Sequence, residues 1–397
     1  MQFKSPVRLF ILLFGFIFIF IAVSSVVIAV SFFNMLLDTK KENNTPAISY
    51  HSTDQDSVDS KYQEAPAIKE ENQRTEHEDQ SVKGLALSFP PPPSILRKPL
   101  TGEACEAAIN SSPFYRDPKS QAAKAQMALA TEGRTEDADV LREISCFPQA
   151  AWIIGGSPAE ARARVEEINA RAADQNKIAL FVLYNIPSHT TPAWRSGLKN
   201  EVYRDWVGAV AQGIGIRRAW IVLEPDALPL ATGLSLNDQA IRLGEIRDAV
   251  EILKKHSLNV RVYLDAGHSF WKTPDAISAL LLKAGIARAD GFIVNVSNYQ
   301  LLSDELIFGR AVSARTGNTS FIVDTSRNGN GPPSDKEWCN ARGRALGLKP
   351  TIKTGEPLVD AYLWIKPPGE SDGDCNGGPP AGKFWLEYAL DLARNAL

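Results

Sequence analysis

The run AWIVLEPDALPL, residues 219–230, carries two carboxylates just past an apolar stretch. Ala219 to Leu223 are apolar without alternation, the pattern of a strand buried on both faces. Glu224 and Asp226 flank Pro225, which lacks a backbone donor and stops a ladder. Other apolar runs end in the same way. Tyr184 and Asn185 follow one, Asp265 and His268 another, and Asn295 and Asn298 close a third. Asp324 and Arg327 end a fourth, while Lys366, Glu370 and Asp372 follow a fifth. Several carboxylates beside aromatics suit general acid–base work on a polyol. A glycosidic bond breaks when one carboxylic acid protonates the leaving oxygen while another group handles water or the oxocarbenium charge. The acid must hold its proton near neutral pH, which calls for burial or a neighbouring carboxylate. Trp271 and Trp338 offer faces for sugar rings, or core packing. There is no nucleophile elbow, the five His show no metal spacing, and no metal or cofactor is expected.

The elements that would position these groups are short apolar runs. They are AAWII (150–154), IALFVLY (178–184), AWIVL (219–223), VRVYL (260–264), GFIVNV (291–296), FIVD (321–324) and AYLWIK (361–366). Most are separated by segments of helical period. Ser157-Pro158-Ala159-Glu160 opens one with a cap, a proline in the first turn and a capping-box Glu. LNDQAIRLGEIRDAVEILKKH and FWLEYALDLARNAL repeat apolar residues at three- and four-residue spacing. Strands alternating with helices predict an α/β fold, a distorted (β/α) barrel of about seven parallel strands with an open doubly wound sheet as runner-up. In a barrel all the strand ends listed above share one rim, where catalytic groups gather. No glycine-rich phosphate motif follows any strand, which removes the usual dinucleotide and nucleotide readings.

A net charge of −3 over 397 residues gives no reason to expect nucleic acid as a partner. Between Arg8 and Asp38 no residue is charged, a run long enough to span a membrane. Residues 1–40 are expected to be an anchor, with cleavage as a signal the alternative. Residues 41–100 are rich in charged and polar residues and close on a proline run, the composition of a disordered stalk. Residues 101–397 then form the globular domain, expected to be monomeric and extracytoplasmic. All four Cys lie there: Cys105, Cys146, Cys339 and Cys375. Four allow three pairings, of which 105–146 with 339–375 is the simplest. Behind an anchor, an even count without Cys-x-x-Cys spacing points to disulfides and an oxidising exterior.

The rim segments resemble glycoside hydrolase family 6, the inverting cellulases that cut β-1,4-glucan. The resemblance rests on LYNIP (183–187), LEPDAL (223–228), YLDAGHSFW (263–271), IVNVSNYQ (293–300), FIVDTSRNGNGP (321–332), EWCN (337–340) and WIKPPGESDGDC (364–375), in that order. It implies that Asp226 is the proton donor, Asp372 the carboxylate proposed as base, Asp265 a supporting acid and Tyr184 the ring that helps distort the sugar. It implies sugar binding by His268, Trp271, Trp338, Lys366 and Glu370, and we count Trp152, Asn295, Asn298 and Ser196 with them. It also implies a Cys339–Cys375 disulfide closing the loop that carries Asp372.

Two departures from the family pattern stand out. After YNIP the family places an Asp and a Cys where this chain has Thr190 and Thr191, and the Cys partner near residues 231–240 is missing as well. The Asp would assist the proton donor; His189 is a possible stand-in and otherwise a loop residue. Only a short stretch rich in Gly and Pro separates Lys366 from Trp385. In the family a short loop there implies an open cleft and internal cuts. The expectation is therefore an inverting β-1,4-glucanase, with a glucan-binding protein of the same fold as the rival that Thr190 motivates.

Overall fold

The computed structural model describes residues 98–186, 200–257 and 259–397. The expected anchor, nearly all of the expected stalk, and His189, Thr190, Thr191 and Ser196 lie outside the described residues. Among the described residues no helix is long and apolar enough to cross a membrane.

Seven strands form one sheet in sequential order: β1 Ala151–Ile154, β2 Ala179–Tyr184, β3 Ala219–Leu223, β4 Val260–Asp265, β5 Gly291–Val294, β6 Phe321–Asp324 and β7 Val359–Leu363. Every neighbouring pair is parallel. Among the described residues ten α-helices accompany them: α1 Gly102–Ser111, α2 Gln121–Thr131, α3 Thr135–Ser145, α4 Pro158–Asp174, α5 Asn200–Ile214, α6 Ala227–Ala231, α7 Leu236–His256, α8 Pro274–Lys283, α9 Leu302–Arg315 and α10 Leu386–Arg394. The sheet curls until its edges meet at a seam. There the Ala150 N–H donates to the Trp364 carbonyl at 3.0 Å, and the Trp152 indole N–H to the Ile365 carbonyl at 2.9 Å. No ladder joins β1 to β7 among the described residues. The barrel is therefore distorted and open along one line, as the seven runs predict.

Period-two alternation explains what the strands bury. In β2, Ala179, Phe181 and Leu183 join the helix-side core, while Leu180 and Val182 join a second cluster inside the barrel. The interior cluster continues with Trp220, Val222, Tyr263, Ile293, Ile322, Ala361 and Leu363. Continuing each inward set by one step gives Tyr184, Asp265 and Asp324 at the last strand residue and Glu224 and Asn295 just past it. The polar rim is thus the last layer of the barrel interior.

Local chemistry agrees with the sequence at most boundaries. Ser157 and Glu160 form a complete capping box at the start of α4, with Pro158 in its first turn. Both long helical-period segments are helices, α7 and α10. Two strands differ from expectation. β5 stops at Val294 because Asn295 takes φ 69° and leaves the ladder. β7 begins earlier and ends at Leu363, since the Trp364 indole turns to donate to the Leu348 carbonyl at 3.0 Å. The disulfides are Cys105–Cys146 and Cys339–Cys375. The first joins α1 to the residue capping α3.

Candidate active site

Asp226 follows β3 with φ 70°, and Glu224 two residues earlier has φ 49°. Non-glycine residues in that region cost energy and persist only where their surroundings hold them. Glu224 supplies part of the hold. Its carboxylate is fully buried and accepts the Asn185 N–H at 3.0 Å, the Ile186 N–H at 3.0 Å and the Tyr203 hydroxyl at 2.9 Å. Glu224 therefore fastens the end of β2 to the end of β3. The two acids of the opening motif have different tasks, because Asp226 is only half-buried at the mouth.

Asp265 supplies the rest of the hold. Its Oδ2 accepts the Asp226 backbone N–H at 2.8 Å, and the side chain is buried. Burial first, and the Asp226 carboxylate second, push Asp265 up to about 8. Tyr184 hydrogen-bonds the Asp226 carboxylate, and burial with the nearby carboxylates drives its phenol far above the usual range. Asp226 and Asp265 disfavour a doubly charged state and so make a proton-holding cluster, while the Tyr184 phenol, by donating to Asp226, steadies the carboxylate it bonds.

Asp372 sits in the loop after β7, in the opposite electrostatic setting. Its side chain is 6% exposed and meets Arg327 Nη1 at 2.8 Å and Lys366 Nζ at 3.1 Å. The Asn340 N–H donates to it at 3.0 Å, and the Asp372 N–H donates back to Asn340 Oδ1 at 2.8 Å. Burial raises its pKa, but Arg327 and Lys366 outweigh that and hold Asp372 below the usual carboxylate range. Arg327 is fully buried, stacks over the Tyr299 ring at 4.6 Å and donates to the Ser297 carbonyl. Asp324, buried at the end of β6, accepts the Ser297, Ser326 and Lys366 N–H groups at 3.1, 2.9 and 3.0 Å. It does for the β5 and β7 loops what Glu224 does for β2.

The two carboxylates are joined by contacts across the seam. Asp372 pairs with Lys366, whose ammonium lies 5.9 Å from the Trp152 ring. Trp152 packs on Tyr184 at 5.5 Å between ring centroids, and Tyr184 bonds Asp226. Residues from β1, β2, β3 and β7 thus meet at one mouth.

Of the remaining candidates, His268 and Trp271 are half-buried neighbours, their rings 5.8 Å apart. Burial lowers His268 to about 4, so the imidazole is neutral. Gly267 between Asp265 and these rings is at φ 71°, and an added Cβ would come within 3.0 Å of Trp271 and 3.1 Å of Pro229. Trp338 is 63% exposed, free to offer a face. Glu370 receives the Gln121 amide at 2.6 Å and burial raises its pKa. Asn298 accepts the Tyr299 N–H at 2.9 Å. Asn295 departs from its expected sugar-binding role: it is fully buried, donates to the Asp324 carbonyl at 2.9 Å and accepts the Gln300 N–H at 3.1 Å. Both ends of its amide hold loops, so it belongs to the scaffold.

Sequence reasoning put Arg327 on the rim without a role and left out Asn340 and Tyr299, although all three lie inside motifs quoted for the resemblance. It also left out Gln121, which fastens the Asp372 loop from α2, and Glu305 on α9; neither sits in a motif.

The model of the glycosyl hydrolases family 6 matches residues 109–396. Endoglucanase A of Cellulomonas fimi is 41% identical over 288 residues, 72% of this chain and 62% of that protein. Endoglucanase A of Thermobispora bispora is 40% identical over 292 residues, again 72% of this chain and 62% of the relative. The chain therefore spans 62% of the length of these two relatives. Among solved structures, the endoglucanase Cel6 from Mycobacterium tuberculosis, in complex with methyl-cellobiosyl-4-deoxy-4-thio-β-D-cellobioside, matches with a TM-score of 0.66 and 39% identity. That match covers 72% of this chain and 98% of that one.

Proposed function

The chain belongs to the glycosyl hydrolases of family 6, and from that premise we propose that it hydrolyses β-1,4-glucosidic bonds in cellulose or related β-glucans, with inversion and by internal cuts. The observation that carries this reading is the opposed pair on one rim: a proton-holding cluster around Asp226 and a fixed anion at Asp372. In the proposed reaction Asp226 gives its proton to the glycosidic oxygen as the C1–O bond breaks. Water attacks C1 from the opposite face and loses a proton, so each turnover adds one water. Asp372 is a poor proton acceptor while Arg327 and Lys366 hold it charged. It acts by fixing negative charge near C1 and by orienting the water, whose proton leaves through solvent. Tyr184 and Trp152 bear on the sugar beside the scissile bond. Lys366, Glu370, His268, Trp271 and Trp338 contact neighbouring units, with Asn298 and Ser196 as further candidates.

Internal cutting is supported by the fold of the Asp372 loop. Ser371 N–H donates to the Lys383 carbonyl at 2.9 Å, Gly382 N–H to Ser371 at 2.9 Å and Trp385 N–H to Gly369 at 2.8 Å. The loop is folded back on itself and bound to Gln121, which suits an open cleft. The endoglucanase relatives support turnover, and nothing in them favours a binder without turnover. Two disulfides and the charge-free run after Arg8 support an extracytoplasmic location, by anchoring or by cleavage.

The test is hydrolysis of cellotetraose followed by proton NMR, with carboxymethylcellulose as a second substrate. The expected result is a first-formed α-anomer and a rapid fall in viscosity of the polymer. A β-anomer would overturn inversion, and reducing ends without loss of viscosity would overturn internal cutting.

A further inference from the structure

Glu305 lies in the first turn of α9 and is fully buried. Its Oε1 accepts the Ser269 N–H at 2.9 Å. Ser269 is in the middle of the segment 266–272, between β4 and α8, which carries His268 and Trp271. Glu305 Oε2 makes no well-formed hydrogen bond, the Ser269 hydroxyl beside it being unpartnered too, and neither does Asp265 Oδ1. A buried carboxylate bonded through one oxygen is a costly fastening, since a neutral acceptor would hold the same N–H without charge. The charge therefore needs its own account.

The groups that face Glu305 are acidic or neutral. Asp304 precedes it on α9, and Asp265 closes β4 four residues before Ser269. On α8, Asp275 is engaged at the surface by Arg315 at 2.6 Å. His268, in the fastened segment, is kept neutral by burial. Among the described residues no salt bridge reaches Glu305.

We propose that Glu305 is a positioning residue of the glucan site: it fixes the segment that places His268 and Trp271, and its charge acts on Asp265, whose carboxylate holds the Asp226 backbone. The proposal rests on the glucanase reading for its kinetic arm. Burial pushes Glu305 up to about 7, and Glu305 is one of the charges that push Asp265 up. As pH rises through that range Glu305 ionises, and its negative charge keeps the proton on Asp265 to higher pH.

The variants are Glu305→Gln, which keeps an acceptor for Ser269 without the charge, and Glu305→Ala, which removes both. Turnover and affinity for cellotetraose, the latter by calorimetry, and Tm are measured from pH 4.5 to 9. Above pH 7, where Glu305 is ionised, Glu305→Ala is expected to raise KM about tenfold, the loss of one charge-assisted hydrogen bond. Glu305→Gln is expected to recover most of that and to move the alkaline limb of kcat/KM to lower pH. For Tm the sign follows from a folded-state value raised above the unfolded one. The contribution of Glu305 to wild-type stability is greatest below the unfolded value of 4.5 and falls as pH rises towards about 7. Gln does not titrate, so the Tm of Glu305→Gln relative to wild type rises across that window. Kinetics and affinity of Glu305→Gln that superimpose on wild type at every pH would overturn the proposal, and so would a Tm difference that is flat with pH. If the wild type binds cellotetraose without turnover, the glucanase reading falls, and the affinity and Tm arms still decide this one. If Glu305→Ala does not fold, Glu305→Gln decides alone.

Discussion

Asp265, which closes β4, and Asp372, in the loop after β7, are both buried carboxyls, and their surroundings push them in opposite directions. Around β4 burial does most to raise Asp265, and the carboxylate of Asp226 adds to it. Around β7 the charges on Asp372 are Arg327 and Lys366, which overcome burial. Two titratable sites separated in this way are how one fold keeps an acid and an anion at the same pH. One side of the mouth stores a proton, and the other stores charge. Each side also has a buried carboxylate that never meets solvent, Glu224 and Asp324, whose work is to gather backbone N–H groups from adjoining loops.

The largest expected effect tests the proton side. Asp226→Asn should lower kcat on cellotetraose by about 10²–10⁴-fold, the usual worth of general acid catalysis. On an aryl cellobioside with a strongly acidic phenol the loss should be far smaller, because that leaving group needs no proton. Tm should change little, since the residue that is held by Asp265 is held through its backbone N–H. Equal losses on both substrates would remove Asp226 from the acid role.

Asp372→Asn tests the charge side, and stability is the place to look first. It would leave Arg327, with no exposed side-chain surface, facing a neutral amide. Breaking a buried pair costs about 3–5 kcal/mol. Tm should therefore fall clearly for Asp372→Asn and barely for Asp226→Asn, while both lose activity. A Tm for Asp372→Asn equal to wild type would mean that the ion pair is not held as described, and the contrast between the two sides would fail.

The sequence made the frame legible for a physical reason. Strands buried on both faces read as unbroken apolar runs, and the polar residue that ends each run is the next inward-facing position. Glu224, Asp265 and Tyr184 could be placed on one rim from that alone, and Asp226 by its place two residues after Glu224. Their partners could not, because a salt bridge such as Arg327 to Asp372 joins residues 45 apart through loops without periodicity. Asn295 was misread because its type suits sugar binding, and only coordinates show both ends of its amide already used. Glu305 was invisible: within α9 it reads as an ordinary first-turn acid.

The smallest expected effect separates the disulfides, and it sharpens the same contrast. Cys105–Cys146 spans 41 residues and Cys339–Cys375 spans 36. By chain entropy each should contribute about 4 kcal/mol, so paired Cys→Ser variants should lose similar amounts of Tm. Their effects on activity should differ. Cys339 precedes Asn340, whose N–H holds Asp372, and Cys375 lies three residues past Asp372. Opening that bridge loosens the anion without touching the proton-holding cluster. The expected result is a several-fold fall in kcat/KM for the 339–375 variant against little change for the 105–146 variant once both are assayed well below their Tm. Equal activity losses would show that Asp372 is placed by Arg327 and Lys366 alone, and that the covalent closure of its loop serves only stability.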